Sequence, residues 1–127
     1  MKVNKVTPIL FVDRIEPLLD LWCGQLGFEK LAEVPHDGQV GFVLLLRDGH
    51  EVMFQTRASV AADLPPVAAG GASCAVYMDV DSLDEAIAAT TGAVVLVPRR
   101  TTTYGVDEVW VRDAAGSILG FAQLRTG

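Results

Sequence analysis

Glu108 and Trp110 carry the most chemical potential in this 127-residue chain. They stand two apart in the run Glu108-Val-Trp-Val-Arg112, whose alternation predicts a strand with both side chains on one face. A carboxylate there, or that of Asp107 beside it, would act as an acid or a base. The indole beside it would stack on a planar heterocycle or attract a cation through its quadrupole. The plainer alternatives are a solvent-facing acid at a strand edge and a tryptophan of the core or of a dimer interface. Tyr104 lies in the loop before this strand, the place of a lid residue. Arg112 and Arg47 each precede a turn aspartate, so ligand contact and a structural bond to Asp113 or Asp48 are both open. His36 and His50 adjoin Asp37-Gly38 and Asp48-Gly49 and read as solvated turn residues. Cys23 and Cys74 lack CxxC spacing and read as small buried thiols. No Ser-His-Asp, Cys-His, GxGxxG or P-loop pattern is present, so nucleophilic, dinucleotide and phosphoryl-transfer chemistry find no support.

Composition narrows the partners. Half the residues are apolar, a fifth are charged, and the net charge is -6. That is a folding composition, and its acidity argues against nucleic acid while suiting a cationic ligand. No run reaches the roughly 18 to 20 apolar residues of a membrane span, so no membrane partner is expected. Val6 to Val12 reads as a strand rather than a signal peptide. Cysteine usage points to a reducing, cytoplasmic setting.

An internal repeat organises the elements that must position these residues. At an offset of 65, Leu18 meets Leu83, Gly27 meets Gly92, Leu31 meets Leu96, and Arg47-Asp48 meets Arg112-Asp113. Each half predicts a strand, a helix ending at glycine, and three further strands. In the first half these are Thr7 to Val12, a helix over Ile15 to Leu26 with Leu18 and Trp22 on its apolar stripe, then Phe28 to Val34, Gly41 to Leu46 and His50 to Thr56. In the second they are Ala75 to Met78, a helix capped by Asp81 or Ser82, then Ala93 to Pro98, Glu108 to Arg112 and Ile118 to Leu124. The organisation expected is a module over 1–57, a linker over 58–71 marked by Pro65-Pro66 and Gly70-Gly71, and a module over 72–127.

With these motifs in place the chain resembles the vicinal oxygen chelate superfamily, which includes glyoxalases, bleomycin resistance proteins and extradiol dioxygenases. The resemblance runs over about residues 5 to 124. It rests on Pro8-Ile-Leu-Phe-Val12 with Leu26-Gly27-Phe28, and on Tyr104-Gly105 before Val109-Trp-Val-Arg-Asp113, Gly116 and Gly120-Phe-Ala-Gln123. It implies an α+β fold of two tandem βαβββ modules, with curved mixed sheets around a cleft and a homodimer as the working form. In metal-dependent members one ligand comes from each of four strands. Those positions fall here on Thr7, near Val52, near Ala72 or Ser73, and on Gly120. None offers a side chain suited to a catalytic metal, so neither a metal nor another cofactor is expected.

Strand alternation then assigns a cleft face of Thr7, Ile9, Phe11, Val43, Leu45, Val52, Phe54, Cys74, Val76, Glu108, Trp110, Arg112 and Ala122. The helix-facing core is assigned Pro8, Leu10, Val12, Leu44, Leu46, Met53, Val109, Val111, Leu119 and Phe121. The candidate ligand-binding residues are Trp110, Phe11, Phe54, Glu108, Ile9, Val52, Cys74, Tyr104 and Arg112. The function expected is metal-free sequestration of a planar, cationic organic molecule. The alternatives are a metal-dependent lyase or dioxygenase with unusual ligands, and a ligandless dimerisation module.

Overall fold

The structure is a computed structural model and describes residues Met1–Arg125. Its strands are β1 (Val3–Val12), β2 (Glu29–His36), β3 (Gln39–Arg47), β4 (His50–Thr56), β5 (Cys74–Val80), β6 (Val94–Thr101), β7 (Val106–Arg112) and β8 (Ile118–Leu124). The α-helices are α1 (Arg57–Asp63), α2 (Pro65–Ala69) and α3 (Leu83–Ala89). The chain forms two compact units, Pro8–Cys74 and Met1–Thr7 together with the residues from Ala75 onward. It is an α+β fold in which each unit follows the βαβββ order.

In the unit of Pro8–Cys74 the strand order is β2-β3-β4-β1, with β1 parallel to β4 and the other pairs antiparallel. The tight β3–β4 connection is Asp48-Gly49, both at positive φ, as a two-residue hairpin turn of this twist requires. Between β1 and β2 the chain makes a 3-10 turn, Glu16–Leu18, and then a π-helical stretch, Asp20–Gln25, instead of one regular helix. Pro17 fits the first turn, where its missing N–H costs nothing. Trp22 packs edge-on against Phe28 and Phe54, at centroid distances of 5.3 and 5.1 Å.

This core corrects one face assignment. Val43, Leu45, Val52 and Phe54 lie on the helical side with Ile15, joined by Leu10, Val12, Leu18 and Trp22. Leu44 and Met53 pair with each other across β3 and β4 and so share the opposite face, as Leu46 does two residues beyond Leu44. Leu10 and Val12 lie on the helical side, as alternation predicts. The run Val43-Leu-Leu-Leu46 is apolar throughout, so nothing in its own pattern selects a face.

Residues 58–71, which connect the two predicted modules, are largely helical. Thr56 caps α1 by accepting from the Ser59 amide at 3.1 Å, and Pro65 opens α2. Val60, Leu64 and Val67 recur at helical spacing and are buried. The segment is thus a packed helical connection, despite its prolines and glycines.

In the other unit the order is β5-β8-β7-β6, with β5 parallel to β8. Ser82, and not Asp81, caps α3, accepting from the Glu85 amide at 3.2 Å. Asp81 instead accepts from the Lys2 amide at 2.7 Å. The core is Val80, Leu83, Ala86, Val109, Val111 and Phe121, with Met78 and Leu119 against it. Val109, Val111, Leu119 and Phe121 are therefore on the helical side, as alternation indicates. Val76 pairs with Leu119 and belongs to that side as well, which corrects its placement on the cleft face. The opposite face of this unit carries Tyr77, Glu108, Trp110, Gly120 and Ala122, related by the pairs Tyr77 with Gly120, Trp110 with Gly120, and Glu108 with Ala122.

Candidate functional site

On that opposite face a single carboxylate gathers four side chains. Glu108 is completely buried, at 0% exposure. Its Oε1 accepts from Arg100 Nε at 3.0 Å, from Arg100 Nη2 at 2.7 Å and from the indole Nε1 of Trp110 at 3.0 Å. Its Oε2 accepts from the hydroxyl of Tyr77 at 2.7 Å and that of Tyr104 at 3.3 Å. A buried carboxylate without compensation is costly; here a guanidinium matches its charge and five donations occupy its lone pairs.

Each partner arrives by a distinct device. Trp110 follows from strand parity. Tyr77 comes from β5, two strands away, and reaches over Gly120 on the intervening β8. A Cβ built at Gly120 would lie 2.8 Å from both Cζ3 of Trp110 and Cδ1 of Tyr77. The glycine is what lets the two rings meet, with centroids 5.4 Å apart and planes tilted by 37°. Arg100 depends on an irregularity in β6. Pairing Val97 with Trp110 in a regular ladder would set Arg99 opposite Glu108. The register shifts between Val97 and Arg100, and Arg100 takes that place instead. Pro98 lies within the shift, where its missing N–H is tolerated. Arg99 pairs with Asp84 of α3 at 2.5 Å. Two adjacent arginines are thus divided between two tasks.

Burial, with the Glu108 charge next, holds the Tyr77 phenol far above its ordinary pKa, so it remains a donor. Trp110 is 3% exposed, whereas Tyr104 is 65% exposed and reaches the carboxylate from the turn before β7.

Of the residues predicted from sequence, the structure brings Glu108, Trp110 and Tyr104 together. Arg112 shares their face of β7 but takes no part in this network. Ile9 and Phe11 are buried in the other unit, on the side of β1 away from Leu10 and Val12. Val52 and Phe54 sit in that unit's helical-side core, so they do not share a face with Ile9 and Phe11. Cys74 is exposed at the start of β5, in the parity of Val76 and not of Tyr77. Sequence reasoning missed Tyr77 and Arg100. The alternation of Val76, Met78 and Val80 with Tyr77 and Asp79 was a readable signal for the first; the shift that selects Arg100 had none.

The positions carried over for a metal do not fit one. Val52 is in a hydrophobic core, Ser73 and Ala72 supply no strong ligand, and the space above Gly120 is filled by two rings. Among the described residues no group of three or more His, Cys, Asp or Glu side chains is placed to hold a metal. No helix among them is long and apolar enough to cross a membrane.

No protein-family model matches the chain, and no curated protein sequence does so. Solved structures do. A glyoxalase/bleomycin resistance protein/dioxygenase superfamily member from Vibrio splendidus 12B01 is 20% identical, with a TM-score of 0.71 over 96% of this chain and 99% of that one. Methylmalonyl-CoA epimerase from Mycobacterium tuberculosis is 16% identical, with a TM-score of 0.69 over 98% and 90%. A hypothetical protein from Bacillus halodurans C-125 is 16% identical, with a TM-score of 0.71 over 99% and 96%. At these identities the likeness is one of architecture, and it is unambiguous: the chain has the fold of the glyoxalase/bleomycin resistance protein/dioxygenase superfamily.

Proposed function

We propose that this protein binds a small planar organic molecule without a metal, at the aromatic and carboxylate cluster of β5, β7 and β8, and acts by sequestering it. The observation that carries this reading is the Tyr77–Trp110 ring pair seated on Gly120, with the indole N–H fixed by a buried Glu108. The orientation of the two rings is set before a ligand arrives, which lowers the ordering cost of binding; with Trp110 3% exposed, a ligand reaches them only once a covering side chain moves. Because Arg100 already matches the Glu108 charge, attraction of a cation rests on the ring faces and the net charge of -6, not on an unpaired carboxylate.

The test is a tryptophan-fluorescence titration with a bleomycin and with proflavine, a planar aromatic cation. Trp22 belongs to the core of the other unit, so Trp110→Phe isolates the reporting ring. Saturable quenching in wild type that is lost in Trp110→Phe supports the reading. No saturable change, or one undiminished in the variant, overturns it. Stoichiometric zinc, nickel, iron or manganese in protein purified without chelator would overturn the metal-free part.

A further inference from the structure

We infer that Tyr104 is a built-in stand-in for the ligand. Its phenol occupies a position on Glu108 that the bound molecule takes over, so the ligand carries an O–H or N–H donor on its planar ring. This rests on the binding reading above and adds the chemistry of what is bound.

The argument begins with the lone pairs of Glu108. Oε1 is fully used by Arg100 and Trp110, and Oε2 by the two tyrosines. A ligand that reaches this carboxylate must therefore displace one of its donors. Three of the four side chains are held by strands: Tyr77 by its pairing with Gly120, Trp110 likewise, and Arg100 by its place opposite Glu108. Tyr104 is the exception. It sits in the connection between β6 and β7, it is 65% exposed, its 3.3 Å bond is the longest of the five, and its hydroxyl also engages that of Tyr77.

The backbone of that connection is secured independently of the phenol. The Thr102 amide donates to the Val106 carbonyl at 2.9 Å, the Gly105 amide to Thr102 at 3.3 Å, and the Arg125 amide to the Gly105 carbonyl at 3.0 Å. Rotation about the Tyr104 side-chain torsions lifts the ring while these bonds remain. It also frees the position on Glu108 Oε2 that the phenol occupies. Oε2 then lacks one donor. A ring bearing a hydroxyl or N–H restores it, whereas a ring bearing only an ether oxygen leaves Oε2 with the Tyr77 hydroxyl alone and sets a second acceptor beside it.

The test uses two probes of nearly one shape, 2-naphthol and 2-methoxynaphthalene, titrated calorimetrically into wild type and Tyr104→Phe. The variant loses one exposed hydroxyl and keeps the ring, and circular dichroism verifies its fold. Wild type should prefer the naphthol by about tenfold or more, and the variant should bind the naphthol about three- to tenfold more tightly because the competing hydroxyl is gone. Methoxynaphthalene affinity should change less than twofold on that scale. Naphthol binding that is equal in the two proteins, or no preference between the probes, overturns the stand-in while leaving the binding reading intact. Absence of any binding by either probe to either protein, with proflavine also silent, overturns both.

Discussion

The indole Nε1 of Trp110 donates to Oε1 of Glu108, the residue two places before it on the same strand, at 3.0 Å. Same-face neighbours on one strand rarely bond so directly through their side chains; here the carboxylate is turned along the strand because Arg100 and two tyrosines hold it there. Glu108 is therefore the keystone of the cluster, and its loss has a calculable consequence.

Glu108→Ala should destabilise the protein by about 3–5 kcal/mol, since it strands a guanidinium, an indole N–H and two hydroxyls that were paired. Arg100→Ala should cost a similar amount, about 3–5 kcal/mol, because it leaves the completely buried Glu108 carboxylate without its counter-charge. The double variant should cost less than the two together, by roughly 1–3 kcal/mol of coupling. Urea unfolding of the four proteins measures this. Additive single effects would show that the ion pair contributes nothing of its own.

Gly120→Ala addresses the ring pair. The new methyl meets Trp110 and Tyr77 at a distance that real contacts do not show, so both rings must shift. The expected cost is about 1–3 kcal/mol of overpacking, with a changed near-ultraviolet dichroism from the tyrosine and tryptophan transitions. An unchanged spectrum would mean that the methyl is accommodated without displacing the rings, so that Gly120 is not what lets them meet.

Alkaline pH provides a third measurement. The folded protein holds the Tyr77 phenol above its unfolded value, with burial the larger cause and Glu108 the next. The folded state therefore keeps a proton that the unfolded chain releases above about pH 10. The contribution of Tyr77 to stability is complete below that pH and declines as pH rises, at up to about 1.4 kcal/mol per pH unit. Of the two tyrosines in the chain, Tyr77 should ionise only on unfolding, seen as a phenolate absorbance step coincident with loss of far-ultraviolet dichroism. Tyr77→Phe should flatten the dependence.

Much of this architecture was legible in the chain. Turn residues such as Asp48-Gly49, the terminating Gly92 and the alternation around Glu108 are local signals, and the local structure obeys them. The register between the two halves is another matter. At the offset of 65, Leu44 corresponds to Val109. In the structure the helical-side residues are Val43 and Leu45 in β3 and Val109 and Val111 in β7, an offset of 66 (109 less 43). Irregularities in the β2–β3 and β6–β7 ladders absorb extra residues that no composition signal marks. One residue of slip exchanges the faces of a strand, and with the faces of β3 exchanged its partners Val52 and Phe54 on β4 lie on the helical side. The same effect hid Arg100 behind Arg99.

The three consecutive leucines of β3 turn that register into a measurement in which residue type is held constant. Leu45 is 0% exposed in the helical-side core, while Leu44 and Leu46 lie on the other face and are half-buried. Leu45→Ala should cost about 2–5 kcal/mol, the transfer of a buried side chain plus the cavity it leaves. Leu44→Ala and Leu46→Ala should each cost about 1–2 kcal/mol, since solvent already touches those side chains and no closed cavity forms. Urea midpoints at unchanged m-values give the ordering directly. If Leu44→Ala or Leu46→Ala proved the more damaging, the offset of 65 would hold through β3, and Phe54 and Val52 would return to the face of Ile9 and Phe11.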